Sequence, residues 1–374
     1  MRTGAIHDLN AFGQSVWLDS ISRSLIKTGR LRSLIDLGLS GMTSNPTIFD
    51  HAVASGPDYD DQIRGLRQHG VSTFDIYDEL TVTDVRDAAD LFRPVHEGTG
   101  GLDGYVSLEI DPRLADDTRR TIDEGLRLFR KVDRPNVMFK VPATKAGYGA
   151  IEELTAAGVN VNITLIFSTR QYQETAQAYL RGLKRLIADK GDPGRVRSVA
   201  SVFVSRIDTA VDGELDALIG KENDPRRRES IGALKGRVAV ANTHLCYAIF
   251  RRIFGSDEFR DLAARGATRQ RPLWGSTSTK NPDYSDIKYV TELIAKGTVN
   301  TMPEKTFFAF LDHGQVIEAL PAETAGSQKV LDGLASLGVS IEAVCARLLE
   351  DGVQAFDRSL DDLLRTIEKK AGTL

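Results

Sequence analysis

The sequence predicts an α/β protein built as a (β/α)8 TIM barrel, with extra helices and a helical C-terminal tail. Along its 374 residues, short β-rich runs alternate with longer segments of helical periodicity. Eight strands alternating with helices favour a closed parallel barrel over an open sheet. An open sheet is further disfavoured because no glycine-rich turn of the dinucleotide-binding type follows the first run. The eight runs are VWLDSI (16–21), SGMTSN (40–45), GYVSLEI (104–110), NVMFKVP (136–142), VNVNITLIF (159–167), SVASVFV (198–204), RPLWGST (271–277) and TVNTMP (298–303).

The segments between the runs carry helix start and stop signals. Residues 22–38 end at a glycine typical of a C-cap, and residues 168–191 open on Ser168, a favourable N-cap residue. Proline and charged residues within 185–198 and 219–230 indicate exposed loops.

The connections between the predicted strands are unequal in length. Residues 46–103 and 207–270 are long enough to hold helices beyond one crossover each. After the last run, 304–374 is predicted to be helical, and the amphipathic pattern over 341–370 suits a helix that covers a barrel end. We therefore expect one domain over 1–374, with a helical insert at about 207–270 and a tail at about 304–374 whose role is structural.

Composition limits the partners and the compartment. A net charge of −4 gives no electrostatic reason to expect nucleic acid or an anionic membrane as a partner. The N-terminus lacks the apolar core of a signal peptide, and no apolar run is long enough to span a bilayer. Two cysteines, Cys246 and Cys345, suit a reducing compartment. We expect a cytoplasmic monomer or homodimer.

Histidine and cysteine spacing does not indicate a metal site. The six histidines are scattered, and His244, two residues from Cys246, is interpreted as part of a helix interior. No metal site is therefore expected.

Lys140 is the most informative single residue, because it interrupts the apolar run NVMFKVP. Burial disfavours an ammonium ion, and the neutral amine that results is a nucleophile suited to Schiff-base formation with a carbonyl substrate. The alternatives are a lysine that snorkels from an edge strand, or one held in a buried ion pair.

Strand alternation predicts which side chains enter the barrel. In a barrel the face that packs on the helices is apolar, so the polar face of each strand points inward. Buried amides and hydroxyls need partners, and a row of them inside a barrel suggests a ligand or a water network. Each such residue alone could be a structural polar group, but several strands agree. The inward residues on three strands are Ser107, Glu109, Met138, Lys140, Asn160, Asn162 and Thr164, while Asp19 and Asn45 end the first two strands.

This set of side chains suits carbon–carbon bond chemistry through an imine. A lysine can attack a ketone to form an iminium electron sink, and a carboxylate can remove a hydroxyl proton as the adjacent bond breaks. A second carboxylate with a hydroxyl can hold the water that forms and hydrolyses the imine, while amides orient the substrate.

The later strands add candidate phosphate ligands. Arg206 follows the sixth run, and Ser276, Thr277 and Lys280 cluster after the seventh. Arginine offers a bidentate fork and lysine a point charge, and barrels often bind phosphate beyond their late strands. The alternative for these cations is solvated surface charge.

Three segments in this order resemble the signature segments of the transaldolase family: GMTSNPTIF (41–49), NVMFKVPATKAG (136–147) and VNVNITLIFS (159–168). VWLDSISR, VSLEIDPRL, SVFVSRID and WGSTSTKNP also fall where that family would place them. The resemblance covers about 10–310 and is closest to the longer bacterial branch.

The resemblance implies an enzyme of the non-oxidative pentose phosphate pathway that transfers a dihydroxyacetone unit through a Schiff base without a cofactor. The donors would be sedoheptulose 7-phosphate or fructose 6-phosphate, and the acceptors glyceraldehyde 3-phosphate or erythrose 4-phosphate. It assigns imine formation to Lys140, the acid/base step to Asp19 and the catalytic water to Glu109 with Thr164. The implied substrate-binding residues are Asn45, Asn162, Ser201, Phe203, Arg206, Ser276 and Lys280. The segment STSTK departs from the family, in which many members have an arginine.

Two other functions stay open at this point. The related fructose 6-phosphate aldolases release free dihydroxyacetone, and they tend to carry glutamine and tyrosine where this chain has Glu109 and Phe203. A catalytically silent barrel that serves as a scaffold would be expected to lose Lys140, Asp19 or Glu109, and all three are present.

Overall fold

The computed structural model describes residues 4–374, and in this part of the chain eight parallel strands close into a barrel in sequence order. All eight predicted strands are confirmed, with ends that shift by a few residues. Pairing of Gln14 with Thr298 closes the first strand onto the last. The strands are β1 (Gln14–Asp19), β2 (Gly41–Thr43), β3 (Tyr105–Glu109), β4 (Val137–Pro142), β5 (Val161–Ile166), β6 (Ser198–Phe203), β7 (Arg271–Gly275) and β8 (Thr298–Met302).

Helices follow the strands and extend the barrel at both long connections and at the tail. None of the helices within 4–374 is long and apolar enough to cross a membrane. The helices are α1 (Ala5–Phe12), α2 (Arg23–Lys27), α3 (Arg30–Asp36), α4 (Pro46–Ala54), α5 (Asp60–Gln68), α6 (Thr73–Gly98), α7 (Thr118–Val132), α8 (Lys145–Ala156), α9 (Thr169–Ala188), α10 (Ser205–Ile219), α11 (Pro225–Gly232), α12 (Val238–Phe254), α13 (Asp257–Ala263), α14 (Lys288–Thr291), α15 (Glu304–His313), α16 (Ala325–Ser336) and α17 (Ile341–Thr373), with 3-10 turns at Pro112–Leu114 and Pro193–Arg195.

The structure confirms one predicted helix start and corrects two other local predictions. Ser168 caps α9 through a complete capping box with Gln171, as its position predicted. The single helix predicted over 22–38 is instead two, because Gly29 adopts φ 81° between α2 and α3. The loop predicted over 219–230 is wrong in its second half, where Asp224 caps α11 and a proline occupies its first turn.

The barrel interior is filled rather than hollow. One apolar layer lies inside it, consisting of Trp17, Tyr105, Met138, Val199, Leu273 and Val299. A Cβ at Gly41 would lie 2.5 Å from the Trp17 ring, so β2 needs a glycine where the indole crosses it. This layer is the floor beneath the polar side chains at the carboxyl ends of the strands.

The tail helix α17 is fastened to the helices that follow β2. Ser359 and Thr47 share a 2.7 Å hydrogen bond, Thr366 donates to Asp50 at 2.7 Å, and Lys370 pairs with Asp60 at 2.8 Å. These contacts hold α17 over the carboxyl ends of the strands, as its amphipathic pattern suggested.

Leu165, whose backbone conformation is strained, packs against α17. Leu165 adopts φ 58° at a register irregularity between β5 and β6, and its side chain lies where a Cβ on Gly352 would come within 2.9 Å. A left-handed leucine costs about 1–2 kcal/mol, so packing in this region must offset that cost. The irregularity directly follows Thr164, and it therefore shapes one wall of the cavity described next.

Candidate active site

A polar cavity of about 200 Å³ opens at the carboxyl ends of the strands, the end at which barrel enzymes bind substrate. It is bounded by residues from strands, from the loops that follow them and from the tail. The lining residues are Asp19, Thr43, Asn45, Lys140, Thr164, Ser201, Phe203, Arg206, Leu273, Gly275, Ser276, Ser278, Lys280, Thr301, Pro303 and Phe356.

Lys140 lines the cavity and is 5% exposed. Its Nζ is 2.7 Å from Glu109 Oε2, since β3 and β4 place the two residues side by side, and it donates to the Ser44 carbonyl at 2.9 Å. The Phe356 ring centroid is 5.6 Å from the same Nζ. The snorkelling alternative is therefore wrong, and the amine is held in a buried ion pair at the edge of a cavity.

Glu109 is the partner that can change the protonation of this pair. Burial raises the pKa of Glu109, the charge of Asp19 adds to that rise, and Lys140 opposes it. A carboxylate with a raised pKa accepts a proton more readily than an exposed one. Transfer of the proton from Lys140 to Glu109 would leave a neutral amine facing the cavity.

Asp19 ends β1 and is oriented by a hydroxyl chain. Thr43 Oγ1 donates to Asp19 Oδ1 at 2.8 Å and lies 2.7 Å from Thr301 Oγ1. Because the single Thr43 proton is used on Asp19, Thr301 is the donor in the second bond. The chain fixes one carboxylate oxygen and leaves the other able to take part in proton transfer.

Thr164 and the side-chain amides of Asn162 and Asn45 differ in how many hydrogen bonds they make. Thr164 Oγ1 is buried at the cavity and has no hydrogen-bond partner within 4–374. The Asn162 amide, in contrast, donates to Ser107 at 2.9 Å and accepts from Ser201 at 2.7 Å. Asn45 caps α4 by accepting from the Ile48 amide at 3.0 Å. A free buried hydroxyl suits a bound water, which needs partners of this kind.

The rim of the cavity carries the predicted cations. Burial lowers the pKa of Arg206, which Asp19 partly counteracts, and the guanidinium lies 5.6 Å from the Phe203 ring centroid. Lys280 is exposed and donates to Ser278 at 2.8 Å. Arg206 is therefore a partly buried positive charge beside the cavity, whereas Lys280 is an exposed cation at its edge.

Ser276 and Thr277, the two hydroxyl residues after β7, lie in different environments. Ser276 lines the cavity in a left-handed conformation, φ 54°, with its Oγ 3.0 Å from Ser205 Oγ. Thr277 is buried and donates to the Thr301 carbonyl at 2.8 Å. Strain at a non-glycine residue is common where a binding loop is held in one shape.

The structure thus brings ten of the eleven sequence-predicted site residues to one cavity wall or to the ion pair beneath it, and it buries Asn162 below them. Sequence reasoning missed Ser44, Thr43, Thr301 and Phe356. The inward parity of β2 and β8 could have indicated the two threonines. Phe356 belongs to the tail, for which the sequence predicts only a structural role, and no sequence signal indicates its place in the cavity.

No group of three or more potential metal-ligating side chains occurs in the described residues. His244, on α12, bonds instead to Ser327 and to the Pro321 carbonyl, each at 2.9 Å, and so joins α12 to the tail.

Comparison with known proteins decides the family. The family model described as transaldolase/fructose-6-phosphate aldolase matches residues 16–367. The chain belongs to this family.

Curated relatives of this transaldolase/fructose-6-phosphate aldolase chain align over nearly their whole length. A protein named transaldolase from Saccharopolyspora erythraea is 47% identical over 97% of this chain and 96% of its own. A transaldolase from Thiobacillus denitrificans is 46% identical over 96% of this chain and 98% of its own. Transaldolase 2 from a Nostoc strain is 41% identical over 98% of this chain and 97% of its own. The resemblance drawn from the signature segments is confirmed.

Proposed function

We propose that the protein is a transaldolase, which transfers a dihydroxyacetone unit from sedoheptulose 7-phosphate or fructose 6-phosphate to glyceraldehyde 3-phosphate or erythrose 4-phosphate. One observation carries the proposal: the Lys140 amine lies 2.7 Å from a buried carboxylate of raised pKa, at the edge of a polar cavity that also holds Asp19 and Arg206. The names of the full-length relatives support the same activity.

The reaction begins with imine formation. Neutral Lys140 attacks the ketone carbon of the donor, and the proton that the attacking nitrogen then loses moves to the former ketone oxygen to give a neutral carbinolamine. Glu109, which has accepted the lysine proton, returns a proton to the departing hydroxyl through a water held by Thr164, and water leaves. The product is an iminium joined to Lys140.

Carbon–carbon cleavage follows on the iminium. Asp19 removes the proton from the donor C4 hydroxyl, the C3–C4 bond breaks, and its electron pair enters the iminium to form an enamine. The aldehyde product departs and the acceptor aldehyde takes its place. The enamine carbon attacks the acceptor carbonyl, Asp19 returns its proton to the new hydroxyl, and hydrolysis of the iminium frees Lys140.

Substrate orientation is assigned to the remaining polar groups. We assign phosphate binding to Arg206, Ser276 and Lys280, because these groups lie on the side of the cavity formed by the loops after β6 and β7. We assign binding of the dihydroxyacetone unit to Asn45 and Asn162, with Ser201, which lines the cavity and donates to Asn162 at 2.7 Å, beside them.

Phe203 favours transfer over release. A transferase must keep its enamine unprotonated until an acceptor arrives, and a phenyl ring in the cavity wall has no proton to donate. The competing fructose 6-phosphate aldolase reaction would release dihydroxyacetone. A product assay with fructose 6-phosphate and no acceptor separates the two: a transaldolase yields little free dihydroxyacetone, and rapid multiple-turnover release would overturn the assignment.

The imine itself is tested by trapping. Fructose 6-phosphate with borohydride should irreversibly inactivate the enzyme and place one reduced adduct on Lys140, located by peptide mapping. Lys145, an exposed lysine on the next helix, is the internal control and should stay unlabelled. An adduct elsewhere, or none, would exclude Lys140 as the Schiff-base residue.

Three coarser features complete the proposal. We assign the chain to the cytoplasm, since Cys246 and Cys345 are both free and buried. The acidic balance argues against a nucleic-acid partner. One barrel with its insert and tail, present as a monomer or homodimer, is the proposed unit, and sedimentation would test the latter.

A further inference from the structure

A second cavity, of about 620 Å³, opens at the opposite end of the barrel from Lys140. It reaches from the amino-terminal ends of the strands to a groove between α12 and α13. Met138 and Val199, which belong to the apolar floor layer, form its inner end. Each lies two residues before a residue of the active cavity on the same strand, Lys140 and Ser201. One layer of side chains therefore separates the two cavities.

One wall of this lower cavity is aromatic. It is lined by Phe250, Phe254 and Phe259, each no more than 4% exposed. The ring centroid of Phe254 lies 5.4 Å from that of Phe250 and 5.0 Å from that of Phe259. Buried rings of this kind offer a rigid apolar surface to a ligand.

The charged residues that line the same cavity are strongly unbalanced. Among the residues that the structure describes, four arginines and a single carboxylate, Asp103, line it, although the whole chain has a net charge of −4. Arg271 is paired with Asp103 at 3.1 Å, and Arg260 is paired with Asp257 outside the cavity. The remaining two arginines carry the excess positive charge.

Arg197 and Arg269 form no ion pair with a carboxylate within 4–374. The Arg197 guanidinium donates to backbone carbonyls only: Nε to Gly101 at 2.9 Å, Nη1 to Gly194 at 2.5 Å and to Val196 at 3.1 Å, and Nη2 to Gly100 in a long contact of 3.4 Å. These carbonyls hold the guanidinium in place without neutralising its charge. Arg269 is exposed at the rim. A guanidinium keeps its charge at all ordinary pH values, so an anion at this rim would gain two partners without displacing an ion pair.

We propose that the lower cavity is a binding site for an anion on an apolar body, such as an aromatic sulfonate or carboxylate. The apolar body packs against the three phenylalanines and Met138, and the anionic group lies between Arg197 and Arg269. The volume suits a ligand of this class, since small-molecule pockets span about 300–1,000 Å³. The site is separate from the sugar phosphate cavity and does not depend on the proposed transfer reaction.

The probe pair for this site is 8-anilinonaphthalene-1-sulfonate and its uncharged analogue N-phenyl-1-naphthylamine, each titrated into the whole native protein by fluorescence. The sulfonate should bind at one saturable site at least tenfold more tightly than the neutral compound. Equal affinity for the two would overturn the anion site.

Variants locate the binding. Ala263 is exposed at the end of α13 and lines the cavity, so Ala263→Trp should fill the cavity and weaken sulfonate binding at least tenfold. Ala264→Trp, one residue farther and outside the lining, is the matched control and should bind within twofold of wild type. Arg269→Gln should weaken the sulfonate about fivefold or more and leave the neutral analogue unchanged. Wild-type sulfonate binding by either Ala263→Trp or Arg269→Gln would refute the site.

Discussion

Glu109→Gln tests whether the buried carboxylate transfers protons during imine chemistry. Glutamine has nearly the same shape and can accept a hydrogen bond from Lys140, but it can neither take a proton from the amine nor return one. In the structure the two groups are 2.7 Å apart and each side chain is at most 6% exposed, so bulk water has little access to replace the carboxylate.

The size of the effect follows from the role of a single proton-transfer group. General acid–base catalysis contributes typically 10²–10⁴-fold, or about 3–5 kcal/mol of transition-state stabilisation. We therefore expect imine formation and hydrolysis to slow by at least about 100-fold. The carbon–carbon step should be far less affected, because Asp19 performs it.

Rapid mixing with fructose 6-phosphate, followed by a borohydride quench at timed intervals, measures imine formation directly. The wild-type rate should titrate with an apparent pKa above the ordinary glutamate range, since burial raises the pKa of Glu109, and Glu109→Gln should lose this titration. Glu153→Gln, a change at a partly exposed carboxylate on α8 that pairs with Arg185 at 2.6 Å, is the control. Imine formation by Glu109→Gln at the wild-type rate, with the titration intact, would refute the proton-transfer role.

Four further outcomes are expected. Arg206→Lys should raise the KM for phosphorylated substrates about tenfold or more, because lysine keeps the charge and loses the bidentate fork, while borohydride labelling persists; an unchanged KM would place the phosphate elsewhere. Phe356→Ala should open the cavity to water and increase the release of free dihydroxyacetone without an acceptor, whereas unchanged release would make the ring a packing residue only. Burial raises the pKa of Asp208 to about 6, so the stability that this group contributes below pH about 4 is lost as the pH rises through 6. Asp208→Asn, which can keep the contact with Tyr289, should therefore make the free energy of urea unfolding nearly constant over that pH range and raise it by up to about 3 kcal/mol at pH 7. An unchanged pH profile would contradict this. Gly41→Ala should cost about 1–3 kcal/mol in the same assay through overlap with the Trp17 ring, and wild-type stability would show that the indole moves freely.

Strand parity proved a strong guide because period-two alternation is a local property of the backbone. Once VNVNITL is a strand with an apolar outer face, Asn162 and Thr164 must point inward, and the parallel pairing then places Glu109 beside Lys140. The same reasoning could not distinguish Ser276 from Thr277, since the left-handed conformation of Ser276 breaks the alternation at that point.

Contacts between distant segments were not predictable in the same way. The amphipathic pattern of α17 shows that one face is buried, but not which partner covers it or that Phe356 reaches the Lys140 amine. The break at Gly29 likewise depends on the path of the chain around the barrel, which the helical spacing on either side of it does not record.

The sequence by itself determined the eight strands, the inward set of polar side chains and the family signature, because each depends on residues close together in the chain. Only the tertiary structure decided that Lys140 is held in an ion pair rather than snorkelling, that the Thr164 hydroxyl has no hydrogen-bond partner among the described residues, and that the tail closes over the cavity. These features depend on closure of the barrel and on the packing of α17. The ion pair and the unpaired hydroxyl depend on which side chains from separate strands and helices come within hydrogen-bond distance of one another, and residues near in sequence do not determine this.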